Sequence, residues 1–273
     1  MSRAVGPLGK AITISPAGLD SQASPLILLR RVTALDAHGD LDPKAELALM
    51  QWAEKSRLGQ NRELVRQVTA RRQRALEQLR AQGHTVVRLR AKPEWRLVVG
   101  LGNRANPHEI GMSLHGSYGW PIIPGSSVKG LTAAWAAGLA DVGADSPDFV
   151  RIFGTTASRG SVRFLDAIPA NEPAGVVLDV LTPHHQPYYT STTPSSGRTP
   201  IPPAEYHNPI PVHFLTVTGA FAIDLTGRVA GEVNQAADWL IDAGDELGAG
   251  AKTTSGYGYL KISRFADQSS EPG

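Results

Sequence analysis

The chain has 273 residues, 41% of them hydrophobic, with a net charge of only +2 and no cysteine. That length suits one large domain or two small ones. The charge excludes a uniform polycation, and the missing cysteines exclude disulfides, thiolate metal sites and thiol catalysis. The longest gently apolar run, Leu131–Ala140, is far short of the ~20 residues a membrane span needs, and near the start Leu26–Leu29 runs at once into Arg30 and Arg31. The expectation is a soluble, cytoplasmic protein with no membrane partner.

Residues 1–25 read as irregular. Pro43 to Ala81 reads as helical, with a break near Gly59. On a helical wheel Leu64, Val65, Val68, Leu76 and Leu79 share one apolar arc, and Arg62, Arg66 and Arg80 fall together outside it. Arg71 and Arg74 lie further round. Arg72 is the misfit, a charge inside the apolar arc. The wide basic face suits a polyanion or a protein partner, and equally a solvated face with snorkelling arginines.

Glu94–Leu101 (EWRLVVGL) reads as a strand. In IPGSSVKGLTAAWAAGLAD a helix of about Ser127–Asp141 buries Val128, Leu131, Trp135 and Leu139. Its first turn carries Lys129 where an acidic residue would complement the helix end. Gly160–Ala167 (GSVRFLDA) and Val176–Leu181 read as strands. Thr182–Pro211 holds eight of the twenty prolines, so regular structure is not expected there. Val212–Asp224 reads as a long strand bent at Gly219, Val233–Glu246 as a helix and Gly256–Ile262 as a closing strand. This order predicts an α+β, ferredoxin-like (RRM-like) fold. The predicted layout is an N-terminal extension over 1–92 packed on a core over 93–265, with an insertion at 182–211 and a disordered tail at 266–273.

Three windows lack acidic residues altogether: Ile110–Ala140, Val180–Ala204 and Leu247–Ala266. A surface built from them meets a polyanion without repulsion, although Gly-rich segments also carry few charges for bland reasons. In the last window, Gly248-Ala-Gly-Ala-Lys-Thr-Thr-Ser-Gly-Tyr-Gly258 lies between a helix and a strand. Its glycines permit a left-handed backbone and close approach. Lys252, Thr253, Thr254 and Ser255 supply donors for an anion nest. The pattern is neither a dinucleotide fingerprint nor a Walker loop. Tyr257 stands between Gly256 and Gly258, where its ring suits a ligand or core packing. His115 and Tyr118, ahead of the first core helix, suit stacking on bases and equally loop packing.

IPGSSVKG, GSVRFLDA and GAGAKTTSGYG, in that order, resemble the RAMP superfamily, the RNA-binding subunits of CRISPR effector complexes. Leu178–Tyr189 (LDVLTPHHQPYY) is most like the sixth-subunit family of the type III-B Cmr module. The resemblance covers roughly residues 95–264 and implies that the first core helix and the Gly-rich loop hold a guide RNA backbone. On this sequence Ser126, Ser127 and Lys129 would then meet phosphates, with Gly248, Gly250 and Lys252–Gly258 as the second element. It implies guide RNA, target RNA and sibling RAMP subunits as partners, no cofactor and no metal. His184, His185, Tyr188, Tyr189 and Arg198 in the insertion suit contact with RNA or a neighbouring subunit. The alternative is a metal-independent RAMP endoribonuclease, for which Asp166, His184, His185, His207 and His213 are the acid–base candidates.

Overall fold

A computed structural model describes residues 2–5, 11–14, 24–36, 38–103, 108, 110–140, 142–184, 188, 202, 204–205 and 208–265. The elements in chain order begin with β1 (Ser2–Val5), β2 (Ala11–Ile14), α1 (Pro25–Arg31), β3 (Thr33–Leu35), α2 (Pro43–Ser56), α3 (Arg62–Ala81) and β4 (Thr85–Pro93). They continue with α4 (Gly125–Gly138), α5 (Pro147–Phe153), β5 (Arg163–Phe164), β6 (Ile168–Pro169), β7 (Gly175–Leu181), β8 (Val212–Thr218), β9 (Phe221–Gly227), α6 (Ala230–Glu246) and β10 (Leu260–Arg264).

The main sheet runs β10-β4-β9-β5, with β6 also paired to β9, and every pairing in it is antiparallel. The arrangement is α+β. Two further sheets are small: β2-β1-β3, and β7 paired with β8. The predicted bend at Gly219 is the point where the chain leaves one sheet for another, since β8 pairs with β7 and β9 pairs with β4. Gly219 takes a φ of +98° there, a backbone state that costs glycine little.

Period-two alternation explains both faces of the main sheet. Val87, Leu89 and Ala91 of β4 and Phe221, Ile223 and Leu225 of β9 are buried in one core with Val128, Ala136, Val233, Ala237 and Leu240 of the packed pair α4 and α6. The alternate residues Arg88, Ala222, Asp224 and Thr226 face the other way, toward α3. This explains why all of β9 is buried. The predicted strand at 94–101 is instead β4, eight residues and more upstream. Its two arginines break the apolar pattern because Arg88 is satisfied by the buried Asp224 and Arg90 is exposed. β4 also lies on the N-terminal side of the boundary read at residue 93.

The break near Gly59 is real: α2 ends at Arg57 and Leu58, both left-handed with φ of 50° and 55°. Asn61 then caps α3, its side chain accepting from the N–H groups of Glu63 and Leu64. Arg72, the misfit of the apolar arc, donates from Nε to Oδ2 of the fully buried Asp224 at 2.9 Å, while Arg88 donates to Oδ1 at the same distance. The charge sits on the apolar side because its partner lies beneath it.

Candidate nucleic-acid interface

The helix end that carries Lys129 already has an anion, and it is internal. α4 starts at Gly125, and the Gly125 N–H donates to Asp166 Oδ1 at 2.7 Å. A carboxylate at the positive end of a helix is stabilising. Asp166 is held in turn, its carbonyl accepting from Arg72 at 2.9 Å. This is why GSVRFLDA is not a continuous strand: pairing lapses between Phe164 and Ile168, where Asp166 turns out to meet α4. Gly125 has no room for a side chain, because a Cβ would stand 2.3 Å from the Phe164 carbonyl oxygen. Lys129 donates from Nζ to the Phe153 carbonyl at 2.6 Å, so it caps the C-terminal end of α5. Ser126 is exposed and Ser127 half-buried.

His115 and Tyr118 meet in the loop ahead of α4. His115 Nδ1 accepts from the N–H groups of Ser117 and Tyr118 at 3.1 and 3.4 Å. The His115 and Tyr118 rings are 4.8 Å apart, and Tyr118 stacks on buried Trp120 at 4.7 Å. Arg71 of α3 donates to the Tyr118 hydroxyl at 3.0 Å. Burial pushes the His115 imidazole below its usual value and Arg71 and Arg72 push the same way, against Asp166. It is therefore a neutral stacking ring at pH 7. The arginine-rich helix, whose role the sequence left open, is thus fastened to this loop.

In the Gly-rich loop Gly248, Gly250, Lys252, Gly256 and Gly258 all have positive φ, and Thr253–Ser255 form one 3-10 turn, with Thr254 and Ser255 exposed. Two of the glycines are dictated by close approach: a Cβ on Gly250 would lie 2.2 Å from Val98 O, and one on Gly258 2.1 Å from Ala249 O. Much of the expected nest is spent internally, since the N–H groups of Ala249, Ala251, Ser255, Gly256, Tyr257 and Gly258 all have carbonyl partners. Lys252 stands over the Phe214 ring at 4.8 Å.

Tyr257 is only 4% exposed and its ring packs with Val98 and Phe214. Its hydroxyl donates to Asp179 Oδ2 at 2.9 Å, beside Arg96 at 2.5 Å. Burial first, then this hydrogen bond, push the phenol up to about 12. Burial alone would raise the Asp179 carboxyl, but hydrogen bonds from Tyr257, the Val180 N–H and Arg96 outweigh it and hold it below its usual value. The ring that does face outward is Trp95, 52% exposed, 4.8 Å from Tyr257 and 5.0 Å from the Arg96 guanidinium. Sequence reasoning placed Trp95 inside a strand and missed it. The Arg beside it was the available signal.

The segment between β4 and Leu101 joins these pieces. Val98 O accepts from Ala251 of the Gly-rich loop, and the next carbonyl, Val99 O, accepts from Ser113 of the loop ahead of α4, both at 2.8 Å. Of the insertion residues, His184 is exposed and Tyr188 half-buried. His185, Tyr189, Arg198 and His207 lie outside the described residues, as does the tail over 266–273. His213 sits half-buried on β8, paired with Val180 of β7. Among the described residues no cluster of three His, Asp or Glu could hold a metal, and no helix is long and apolar enough to cross a membrane.

The antiparallel sheet backed by α4 and α6, with a Gly-rich loop entering its last strand, is a fold shared with known proteins. The RAMP superfamily matches residues 96–261, and the chain belongs to that superfamily. It is similar to the CRISPR system Cmr subunit Cmr6 of Pyrococcus furiosus, with 30% identity covering 62% of this chain and 66% of the relative. The chain thus spans slightly under two thirds of that relative's length. Among solved structures, a chain of the type III-B Cmr-beta complex bound to cognate target RNA superposes with a TM-score of 0.62 at 20% identity, covering 84% of this chain and 75% of that one. The crystal structure of Cmr6 from Pyrococcus furiosus aligns over 67% of this chain and 99% of that one, with a TM-score of 0.43 and 26% identity.

Proposed function

We propose that the chain is a non-catalytic, RNA-binding backbone subunit of a type III-B Cmr CRISPR effector complex, holding guide RNA phosphates and helping target RNA binding in antiviral defence. Its partners on this reading are guide RNA, target RNA and neighbouring RAMP subunits. The similarity to Cmr6 motivates the complex. The sheet order supports the ferredoxin-like form of the core: counting β4, β5, β9 and β10 as strands one to four, the order is four-one-three-two.

The observation that carries RNA binding is the exposed indole of Trp95, which stands beside the Arg96 guanidinium and against Tyr257 of the Gly-rich loop, the loop that also presents Lys252 and the exposed Thr254 and Ser255. Cations and hydroxyls suit phosphates, and an exposed indole suits a base. Ser126, Ser127 and Lys129 form the second phosphate element. The Lys129 ammonium keeps two donors beyond the one given to Phe153. His115 and Tyr118 contribute a neutral stacked pair. Asp166, the carboxylate that the nuclease alternative needs, is already engaged by the Gly125 N–H, which favours the non-catalytic reading.

The test is fluorescence anisotropy with guide-type RNAs of different sequence over a range of salt. Affinities are expected to be alike, because phosphate contacts carry no sequence information, and log affinity is expected to fall linearly with log salt. Lys252→Ala should lower that slope by about one. A flat salt dependence would refute phosphate binding. RNA cleavage in EDTA that disappears on changing a histidine would overturn the non-catalytic part. An unchanged particle size on mixing with sibling subunits and guide RNA would overturn the assembly part.

A further inference from the structure

The outer face of the main sheet, opposite α4 and α6, is only partly roofed by α3. Between α3, β4 and β10, and reaching round to Asn234 of α6, a groove of about 410 Å³ remains, lined by Thr69, Arg80, Arg88, Asn171, Asn234 and Arg264 among others, with no carboxylate in its lining. Its cations are positioned in different ways. Arg264 is fixed by Asn234 Oδ1 at 2.9 Å and Asp238 Oδ1 at 2.7 Å. Arg88 gives its Nε to Asp224 and lies 5.1 Å over the Phe265 ring, which leaves the terminal nitrogens of its guanidinium for another acceptor. Arg80 has one long contact, 3.4 Å to Val86 O. In the wall, Thr69 is 7% exposed and its buried Oγ1 has no hydrogen-bond partner among the described residues. A buried hydroxyl without a partner is costly, and it shares this lining with Arg80 and with the terminal nitrogens of Arg88. β4 continues past the groove with exposed Arg90 and Lys92 on the same face as Arg88.

We infer that this groove is a second phosphate site, taking a phosphodiester of single-stranded RNA, with α3 supplying one wall. The volume lies at the small end of ligand sites, and the open end toward Arg90 and Lys92 favours a chain running through it over a small anion held alone. The inference rests on the RNA-binding reading above but uses none of its residues.

The probe is a fluorescein-labelled oligouridylate bound to the full chain at low salt. Arg80→Gln should weaken binding about fivefold and lower the salt slope by about one, and Arg80→Glu should weaken it further. Lys55→Gln, the same charge change on the exposed face of α2, should leave affinity within about twofold. Arg80 is exposed with a single long backbone contact, so the variants should melt with the parent. An oligouridylate carrying 4-thiouridine should crosslink to the peptide holding Thr85–Arg90. If Arg80→Gln changes nothing while Lys252→Ala weakens binding, the groove is not a site and the function proposed above stands. If Arg80→Gln and Lys55→Gln weaken binding equally, the effect is general charge and the inference is overturned. If the parent binds no oligouridylate, both readings fall together.

Discussion

Asp224→Asn is the sharpest probe of how the N-terminal helix is joined to the sheet. The carboxylate is fully buried and accepts from Arg72 of α3 and Arg88 of β4, whose side chains are 23% and 14% exposed. The amide keeps the shape, so no cavity forms, but two largely buried guanidiniums lose their counter-charge. Breaking a buried pair from one side costs roughly 3–5 kcal/mol. Partial exposure of both arginines and the remaining amide oxygen place the loss near the lower end, about 3 kcal/mol. For a chain of this size that is a drop in melting temperature of roughly 6–12 °C. Urea unfolding followed by far-UV circular dichroism measures it. The control is Asp238→Asn at the Arg264 pair, where side-chain exposures of 42% and 63% leave the charges in solvent. It should cost under about 0.5 kcal/mol. If Asp224→Asn costs less than about 1 kcal/mol, or no more than the control, the buried pair of arginines does not fasten α3 to the sheet.

Gly258→Ala should destabilise by about 3 kcal/mol or prevent folding, since the methyl would meet Ala249 O at 2.1 Å. Gly256→Ala, at a similar φ in open space, should cost only about 1–2 kcal/mol. Equal losses would disprove the close-approach argument. Ultraviolet titration should show one tyrosine ionising near pH 12 rather than 10, and Tyr257→Phe should remove it. The folded value is raised, so the stabilisation from the Tyr257–Asp179 bond is complete below pH 10 and is lost as pH climbs through about 12. A stability loss for Tyr257→Phe that grows on raising the pH contradicts this. Guide-type RNA should quench the tryptophan emission of the parent and that of Trp95→Phe far less, because Trp52, Trp120 and Trp239 are buried and Trp135 is half-buried against the core. Undiminished quenching in the variant removes Trp95 from the RNA surface.

Much of the core was legible because its signals are local. The α6 helix, the break near Gly59 and the turn at Gly219 each depend on a few adjacent residues, and of the stripe expected on α4 Val128, Leu131 and Trp135 meet the core while Leu139, just past the helix end, is 57% exposed. β4 was hidden because Arg88 and Arg90 alternate with Val87, Leu89 and Ala91, and a charged face reads as polar whether it meets water or a buried carboxylate. The site was partly legible. The glycines of 248–258 announce a tight loop, but nothing near them says that most of its N–H groups are spent on Val98, Arg96 and each other's carbonyls. Asp166 reads as an ordinary turn residue from its neighbours. Its role at α4 comes from a contact across 41 positions, which no local pattern encodes. Arg72 was the exception, a visible misfit whose explanation lay on another strand.

The paired carbonyls of Val98 and Val99 have a consequence for how this protein can vary. Successive carbonyls of an extended chain point to opposite sides, so one residue step selects the Gly-rich loop and the next selects the loop ahead of α4. The segment works as a ruler with two marks one residue apart. Adding or removing a residue between Arg96 and Val99 cannot be absorbed by slippage, because it would offer each loop the carbonyl meant for the other. Relatives of this chain should therefore vary in length on either side of 96–99 and keep this stretch at constant length. A strand of RNA laid over both loops would inherit its spacing from the protein backbone, whatever its sequence.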